Sequence, residues 1–286
     1  MAEDRATVAG ALRAAAERIA VDWARMDAEL LMAHALRVTR SAMLLDHMRD
    51  PVPPAFAALL DRRLGYEPVA YIIGAAEFYG RRFAVTPDVL IPRGDSEATV
   101  AAALEARPAA RRILDCGTGS GALLLTLLAE LPEAYGIGID RSEAALRVAL
   151  GNAAALGLSG RADLRSSDWT RPGWADDLGA FDLVVANPPY VEDGARLDPS
   201  VRDHEPAGAL FAGPEGLDDY RVLVPRLRDL LAPDGAAVLE IGASQAASVG
   251  EIAHRAGFST ALRRDLAGRP RALILRKGVG KGHRDS

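Results

Sequence analysis

The stretch Arg112-Ile113-Leu114-Asp115-Cys116-Gly117-Thr118-Gly119-Ser120-Gly121 decides the fold of this 286-residue chain. Arg112–Cys116 is typical of a short apolar strand, and the apolar run Gly121–Leu131 predicts a helix. The three glycines between them let the backbone turn tightly and approach a ligand closely, and the start of the helix offers unpaired N–H groups. A strand, a Gly-rich loop and a helix in this order indicate a nucleotide-type binding site. The alternative is a Gly-rich turn with only a structural role.

The chemistry of this loop favours an amine-bearing ligand. Its spacing is Gly-x-Gly-x-Gly with Asp115 just before it, whereas dinucleotide loops read Gly-x-Gly-x-x-Gly, and an acid here would repel a pyrophosphate. The next predicted strand, Tyr135–Asp140, ends in an acid that suits two ribose hydroxyls. S-adenosylmethionine carries both an amino acid group and a ribose, so we predict that it is the cofactor. The predicted cofactor-binding residues are Gly117, Thr118, Gly119, Ser120, Gly121 and Asp140.

Two further candidates for the cofactor site follow the third predicted strand, Ala162–Arg165. Asp168 can accept a hydrogen bond from the amino group of an adenine, and Trp169 can pack on the face of the ring. A capped turn with a half-buried tryptophan explains the same residues, and composition alone slightly favours that explanation.

The predicted strand Phe181–Ala186 ends directly in Asn187-Pro188-Pro189-Tyr190, which we call the acceptor turn. The prolines supply carbonyls without N–H groups, Asn187 offers one acceptor and two donors, and Tyr190 offers a flat face. This set suits a planar nitrogen, such as an amide or an exocyclic amine. Binding its N–H groups to the Asn187 oxygen and the Pro188 carbonyl would aim the nitrogen at an electrophilic methyl group. A Pro-rich turn that closes a strand is the alternative.

The residues of the acceptor turn are predicted to have catalytic and substrate-binding roles. The predicted catalytic residues are Asn187, Pro188 and Tyr190. The predicted substrate-binding residues are Asn187, Pro188, Pro189 and Tyr190.

The rest of the chain predicts the architecture around these motifs. Strands and helices alternate from Pro108 to Lys277, with one of the later strands predicted at Ala236–Ile241. This alternation indicates an α/β fold with a mostly parallel sheet and helices on both faces. Apolar residues at helical spacing predict a small N-terminal helical domain, and a short β-hairpin follows it. Asp95 or Ser96 is expected to cap the next helix. The predicted boundaries are 1–74 for the helical domain, 75–98 for the hairpin linker, 99–276 for the α/β domain and 277–286 for a flexible basic tail.

Composition excludes several other classes of protein. A single cysteine, Cys116, rules out an intramolecular disulfide and a Cys-based zinc cluster, and the histidines show no metal-ligand spacing, so we predict no metal site. The net charge of −5 argues against a polybasic nucleic-acid binder. No apolar run reaches the roughly 20 residues of a membrane span. We therefore expect a cytoplasmic protein.

Several motifs together resemble class I S-adenosylmethionine-dependent methyltransferases, and more closely the peptide chain release factor glutamine methyltransferases. The resemblance covers nearly the full length. It rests on Arg25–Leu31, Pro68–Gly74, Glu77–Gly80, Val89–Arg93, Asp115–Gly121, Asn187–Tyr190, His204–Pro206, Ala209–Leu210, Gly216–Leu217, Leu239–Gly242 and Gln245. One departure is Gly94, where the family usually has a second proline after Pro-Arg.

The resemblance implies a Rossmann-like class I methyltransferase fold and a specific reaction. The family methylates the side-chain amide (N5) of the glutamine in the Gly-Gly-Gln tripeptide of class-1 release factors, with S-adenosylhomocysteine as the other product. It implies cofactor contacts at Gly117–Gly121, Asp140, Trp169 and Asn187, substrate contacts at Asn187–Tyr190, and a helical domain that grips the release factor. We expect a monomer without a stable nucleic-acid partner.

Three alternatives to this function remain at the level of sequence. The nearest sibling family methylates a glutamine on a ribosomal protein, but it lacks the acid–hydroxyl–acid run Asp95-Ser96-Glu97. An adenine or guanine amino group presents a similar planar nitrogen, and the acidic charge argues against it. A non-catalytic adaptor that binds the cofactor only for stability is disfavoured by the intact Asn187 and Tyr190.

Overall fold

The structure is a computed structural model and describes residues 7–278. The chain divides into two compact units. The first unit runs to Ala75 and also contains the distant segment Leu197–His204. The second unit comprises Ala76–Arg196 and resumes at Glu205. The segment 197–204 therefore groups with the first unit, although it lies between two parts of the second in sequence.

The first unit is helical because its apolar residues recur on one face of each helix. Its helices are α1 (Val8–Ile19), α2 (Ala24–Leu36), α3 (Arg40–Asp46), α4 (Ala55–Leu64) and α5 (Val69–Ile73), with α9 (Pro199–Arg202) in the inserted segment. Leu12, Leu31, Met32 and Met43 are fully buried in its core. The Thr7 hydroxyl accepts a hydrogen bond from Gly10 N and caps α1.

The second unit holds a two-stranded hairpin, except for its first residue Ala75, and a seven-stranded sheet. The hairpin strands are β1 (Ala75–Phe78) and β2 (Arg81–Ala84). The sheet strands are β3 (Arg112–Cys116), β4 (Tyr135–Asp140), β5 (Ala162–Ser166), β6 (Phe181–Ala186), β7 (Leu231–Glu240), β8 (Phe258–Arg264) and β9 (Pro270–Lys277). The accompanying helices are α6 (Glu97–Ala106), α7 (Ala122–Glu130), α8 (Glu143–Ala155), α10 (Asp218–Leu230) and α11 (Ala246–Arg255).

The strand order is β5-β4-β3-β6-β7-β9-β8, in which β9 runs antiparallel to β7 and β8 and all other neighbouring pairs are parallel. The chain winds outward from β3 to β5 and then returns to the other side of β3 with β6. A topological switch point therefore lies between β3 and β6, and in open α/β sheets ligands bind outside the carboxyl ends of the strands at such a point. The Gly-rich loop follows β3 and the acceptor turn follows β6, so both motifs lie at this place.

The predicted fold class is confirmed, including the N-terminal helices and the hairpin, but some local expectations were wrong. Neither Asp95 nor Ser96 caps α6 with its side chain. The Asp95 carboxylate instead accepts from Arg269 and Arg271, each at 2.9 Å. The strand that we placed at Ala236–Ile241 begins at Leu231, and an irregular register accommodates the extra residues.

The predicted tail overlaps the sheet at its first residue. Lys277 is the last residue of β9, and its Nζ donates to Leu231 O at 2.7 Å. The rest of the predicted tail, from 279 onward, lies outside the described residues. Within residues 7–278, no helix has both the length and the apolar character needed to cross a bilayer.

Candidate active site

A cleft of about 200 Å³ opens at the carboxyl edge of the sheet, within the second unit. The loops after β3, β4, β5 and β6 all contribute to its lining. Among its lining residues are Asp115, Gly117, Thr118, Gly119, Ser120, Asp140, Asp168, Trp169, Asn187 and Pro189. The structure therefore brings together the predicted cofactor residues, except Gly121, and two of the four residues of the acceptor turn.

The Gly-rich loop owes its shape to backbone conformations that favour glycine. Gly117, Gly119 and Gly121 have φ angles of +78°, +53° and +82°, in the left-handed region that side chains with a Cβ rarely adopt. The loop is also tied to the neighbouring strand, because the N–H groups of Gly117 and Thr118 both donate to Ile139 O. Gly121 precedes the first residue of α7, where it ends the loop rather than lining the cleft.

Asp115 is a buried acid with one unpartnered oxygen. Its side chain is 1% exposed, its Oδ2 accepts from the Thr118 hydroxyl at 2.8 Å, and its Oδ1 has no hydrogen-bond partner. Burial raises the pKa of Asp115 to about 7, even though the Thr118 hydroxyl favours the ionised form. An unpartnered carboxylate oxygen beside a cleft is a ready acceptor for a ligand amine.

Asp140 organises the loop as well as facing the cleft. Its Oδ2 accepts from Gly119 N and its Oδ1 from Ser142 N, both at 2.9 Å. These two bonds fix the carboxylate at the end of β4. Each oxygen keeps a further lone pair, so the group can still accept from two hydroxyls of a ribose.

Trp169 lies against the Gly-rich loop. A Cβ placed on Gly117 would meet the indole at 3.0 Å, so a side chain at this position would push the ring away by a few tenths of an ångström. The indole Nε1 donates to Asp219 Oδ1 at 2.8 Å. Asp219 is partly buried, which raises its pKa, although the indole hydrogen bond opposes the shift. The ring therefore has a fixed orientation at the edge of the cleft.

Asp168 lines the same cleft but is already hydrogen-bonded within its own turn. Its Oδ1 accepts from the backbone N–H and the hydroxyl of Thr170, at 2.9 and 2.7 Å. The Thr170 bonds lower the pKa of Asp168. This is the geometry of a capped turn, the alternative that composition favoured, and its role toward an adenine stays a prediction.

The acceptor turn presents two of its residues to the cleft. Asn187 and Pro189 contribute to the lining, whereas Pro188 and Tyr190 are not among the described residues that do. The Tyr190 hydroxyl is 3.4 Å from Glu240 Oε1, an oxygen of a carboxylate only 1% exposed. Burial raises the pKa of Tyr190 to about 12 and also raises the pKa of Glu240. A buried acid, Glu240, therefore lies behind the acceptor turn, and nothing in the sequence of the turn indicates it.

One wall of the cleft comes from residues 206–209. Arg93, which also lines the cleft, forms an ion pair with the buried Glu205 at the start of this wall. On the far side, Arg141 donates to Gly208 O at 2.7 Å. Both arginines therefore bond to this wall, and Arg141 ties it to the loop after β4.

Comparison with known proteins identifies the family. Residues 10–74 match the PrmC N-terminal domain, and residues 109–255 match a methyltransferase domain. The chain is 44% identical to the release factor glutamine methyltransferase of Cereibacter sphaeroides over 278 residues, covering 94% of this chain and 98% of that protein. The chain belongs to the release factor glutamine methyltransferases. A second member of this family, from Rhodospirillum rubrum, is 42% identical over 264 residues, an alignment that covers 90% of this chain and 80% of that protein.

A solved structure supports the fold assignment of this release factor glutamine methyltransferase family member. The hMettl16 catalytic domain, in complex with MAT2A 3'UTR hairpin 6, superposes with a TM-score of 0.53 at 15% identity, covering 80% of this chain and 94% of that one. At this identity the likeness concerns the fold alone. The chain is an S-adenosylmethionine-dependent methyltransferase of class I.

The residues at the cleft fit this cofactor. Asp115 offers an unpartnered oxygen for its amine, the glycines leave room beside the indole, and Asp140 has acceptor capacity for its ribose. In the described part of the chain, no group of three or more His, Cys, Asp or Glu side chains is arranged to hold a metal ion.

Sequence reasoning missed three partners of the site. It did not assign Asp219, since an acid in the first turn of a helix is common for electrostatic reasons alone. Glu240 and Gln245 belong to the segments on which the family resemblance rests, but no role was predicted for them. Both contact Tyr190, and such contacts between distant segments leave no local signal.

Proposed function

We propose that this enzyme transfers a methyl group from S-adenosylmethionine to the side-chain amide nitrogen of the glutamine in the Gly-Gly-Gln motif of class-1 peptide chain release factors. One observation carries the proposal. The chain is 44% identical to a release factor glutamine methyltransferase over 94% of its length, so the similarity spans both units and not only the methyltransferase domain.

The cofactor would be held by the Gly-rich loop and the acids around it. S-adenosylmethionine supplies an electrophilic methyl group when it is bound. Asp115 would accept from its amine, Asp140 would accept from its ribose hydroxyls, and Trp169 would pack on its adenine. The three glycines supply the close backbone approach that such a ligand needs.

The acceptor turn would orient the glutamine amide. An amide nitrogen is a poor nucleophile because its lone pair is delocalised. If the Asn187 oxygen and the Pro188 carbonyl each accept one of its N–H bonds, the nitrogen is held in one orientation, and the barrier falls through positioning and electrostatics. Tyr190 would flank the amide with its ring, and Glu240 behind it would fix the hydroxyl end of that ring.

No general base inside the turn is required for this reaction. Once methylated, the nitrogen still carries both of its hydrogens and a positive charge, and it loses one proton readily to water. The task of Asn187–Tyr190 is therefore orientation, and the proton leaves after the new carbon–nitrogen bond has formed.

The protein substrate would be recognised by more than its glutamine. A single side chain offers too little contact area to offset the entropy of binding, whereas a protein–protein interface of standard size buries about 1,600 Å² in total. No described residue of the first unit lines the cleft, so we assign to this unit the docking surface for the release factor.

The experiment that tests this function compares substrates. Purified enzyme and S-adenosylmethionine labelled on its methyl group are incubated with a release factor, a Gly-Gly-Gln peptide, ribosomal proteins, ribosomal RNA and DNA in parallel. We expect fast labelling of the release factor, slow labelling of the peptide and none of the others. Preferential labelling of a ribosomal protein or a nucleic acid would reject the proposal.

A further inference from the structure

Two buried amides outside the candidate site have the same bonding pattern. Asn152 lies in α8 and is 2% exposed, and Gln245 precedes α11 and is 9% exposed. Each side chain makes three hydrogen bonds, all with main-chain atoms, and all except the bond between Gln245 and Gly242 join distant segments. Among the described residues, neither Asn152 nor Gln245 lines the cleft. Any effect of these side chains on the site must therefore come through the main-chain groups that they bind.

Asn152 joins the hairpin to the Gly-rich loop. Its Nδ2 donates to Ser120 O at 2.8 Å and to Ala84 O at 3.0 Å, while its Oδ1 accepts from Ala84 N at 2.7 Å. Ser120 lies inside the loop that lines the cleft. Asn152 therefore fixes the position of this loop from behind.

Gln245 makes the equivalent set of bonds at the acceptor turn. Its Nε2 donates to Tyr190 O at 3.1 Å and to Gly216 O at 3.0 Å, and its Oε1 accepts from Gly242 N at 3.0 Å. Gly216 has a φ of +64°, and a Cβ there would lie 2.3 Å from Tyr190 O. This close approach brings both carbonyls within reach of one amide.

The two environments require an amide and define its orientation. Each offers two carbonyl oxygens and one N–H group, which only a side chain with two donors and one acceptor satisfies. A carboxylate of the same size accepts from the N–H but cannot donate to the carbonyls, and it repels them. Each position therefore requires the hydrogen-bonding groups of an amide, and not only a side chain of the right volume.

We propose that Asn152 and Gln245 are positioning residues that act on separate halves of the active site. Asn152 holds the Gly-rich loop for the cofactor, and Gln245 holds the Tyr190 end of the acceptor turn for the glutamine amide. The second assignment rests on the proposed function of that turn. The first needs only cofactor binding.

Two isosteric variants test this division. Asn152→Asp should weaken binding of S-adenosylhomocysteine, measured by calorimetry, by about tenfold or more, while kcat on release factor at saturating cofactor stays within about threefold. Gln245→Glu should show the reverse, with S-adenosylhomocysteine affinity within about twofold and kcat lowered by about tenfold or more. The pair Asn152→Ala and Gln245→Ala repeats the test without added charge if the first pair does not fold.

Arg161→Met provides a matched control. The Arg161 guanidinium also donates to two backbone carbonyls, Leu131 O and Ala134 O, but just before β4, at the amino edge of the sheet. This variant should lower the thermal unfolding temperature and leave cofactor affinity and kcat unchanged. If it reproduces the changes of either test variant, those changes reflect general loss of stability, and the proposal is overturned.

Hydrogen exchange separates this inference from the proposed function. Asn152→Asp should accelerate exchange at Gly121 N–H, and Gln245→Glu should accelerate it at Val191 N–H, each without affecting the other site. This result is expected whether or not a release factor is the substrate, so failure of methyl transfer to release factor would count only against the proposed function. Equal effects of both variants at both sites, or effects at neither, would overturn the division of roles.

Discussion

The indole N–H of Trp169 is bound to the carboxylate of Asp219, fifty residues further along the chain, at 2.8 Å. This bond holds the ring against the backbone of Gly117, where it forms part of the cleft. Asp219 lies in the first turn of α10. This helix therefore sets the orientation of the Trp169 side chain at the carboxyl edge of the sheet.

Loss of the Asp219 carboxylate should loosen Trp169 and weaken cofactor binding. We expect Asp219→Ala to reduce the affinity for S-adenosylhomocysteine by about 1 kcal/mol, the usual contribution of one hydrogen bond. Asp219→Asn keeps an oxygen acceptor and should bind almost normally. Calorimetry measures both, and Asp218→Ala, which removes an exposed neighbour paired with Arg221, is the control. Equal affinity of Asp219→Ala and the control would show that the bond has no role in binding.

The raised pKa of Asp115 predicts a pH-dependent stability. The folded protein holds this proton up to about pH 7, whereas the unfolded chain releases it at the ordinary aspartate value near 4. The group therefore stabilises the fold fully below about pH 4, and this contribution is lost as the pH rises through 7. Asp115→Asn has no such proton. Its free energy of unfolding relative to wild type should rise by about 1 kcal/mol or more between pH 4.5 and 7.5, measured by urea unfolding.

The same carboxyl should release a proton when the cofactor binds. An ammonium next to its unpartnered oxygen favours the ionised form, so binding at pH 6 should release protons in the wild-type protein. Calorimetric titration in two buffers of different ionisation enthalpy detects this release. A release of equal size in Asp115→Asn would assign the proton to another group.

The clustering of the candidate site residues could be predicted from the sequence because these residues lie in contiguous motifs at strand ends. The loop Gly117–Gly121 and Asn187 each follow a strand directly, Asp140 is the last residue of one, and parallel strands bring their carboxyl ends together. The three come together at one cleft as expected. The strand Tyr135–Asp140 was even predicted with its observed bounds.

What the sequence could not predict depends on contacts between distant segments. Nothing near Asp219 indicates that it meets Trp169, and nothing near Gln245 indicates that it meets Tyr190. Asp95 was expected to cap α6 because local rules favour an acid there, but the pairing with Arg269 and Arg271 of the β8–β9 region prevailed. The start of β7 was missed because Pro233-Asp234-Gly235 is typical of a turn, yet an irregular pairing with β6 carries the strand through it.

The central residue of the acceptor turn should be indispensable for turnover. We expect Asn187→Ala to abolish methyl transfer while the thermal unfolding temperature stays unchanged, since Asn187 is half-buried at the cleft and not part of the core. Asn187→Asp keeps an acceptor and adds a charge, which should leave partial activity. Transfer is followed with labelled cofactor on release factor. Near-normal turnover of Asn187→Ala would reject orientation of the amide by this residue.

Binding of the protein substrate should depend on an exposed apolar patch in the first unit. Trp23 is 73% exposed between α1 and α2, with Val21 and Met26 each 39% exposed beside it in sequence. Tryptophan is the residue type most enriched in interface hot spots. We expect Trp23→Ala to raise the KM for release factor by about tenfold, without affecting cofactor affinity or turnover of a Gly-Gly-Gln peptide.

Leu45→Ala is the matched control for this patch, because Leu45 is 81% exposed in the same unit but on α3. Its KM for release factor should match that of wild type. If both variants raise KM equally, docking does not depend on the patch around Trp23.

We expect one glutamine of a release factor to be the methyl acceptor. To test this, release factor is digested after incubation with the enzyme and S-adenosylmethionine, and the added methyl group is located by tandem mass spectrometry. One methyl group should be found on the side-chain amide of the Gly-Gly-Gln glutamine, and none when the Asn187→Ala enzyme is used. A methyl group on any other residue, or an unmodified Gly-Gly-Gln peptide with active wild-type enzyme, would contradict it.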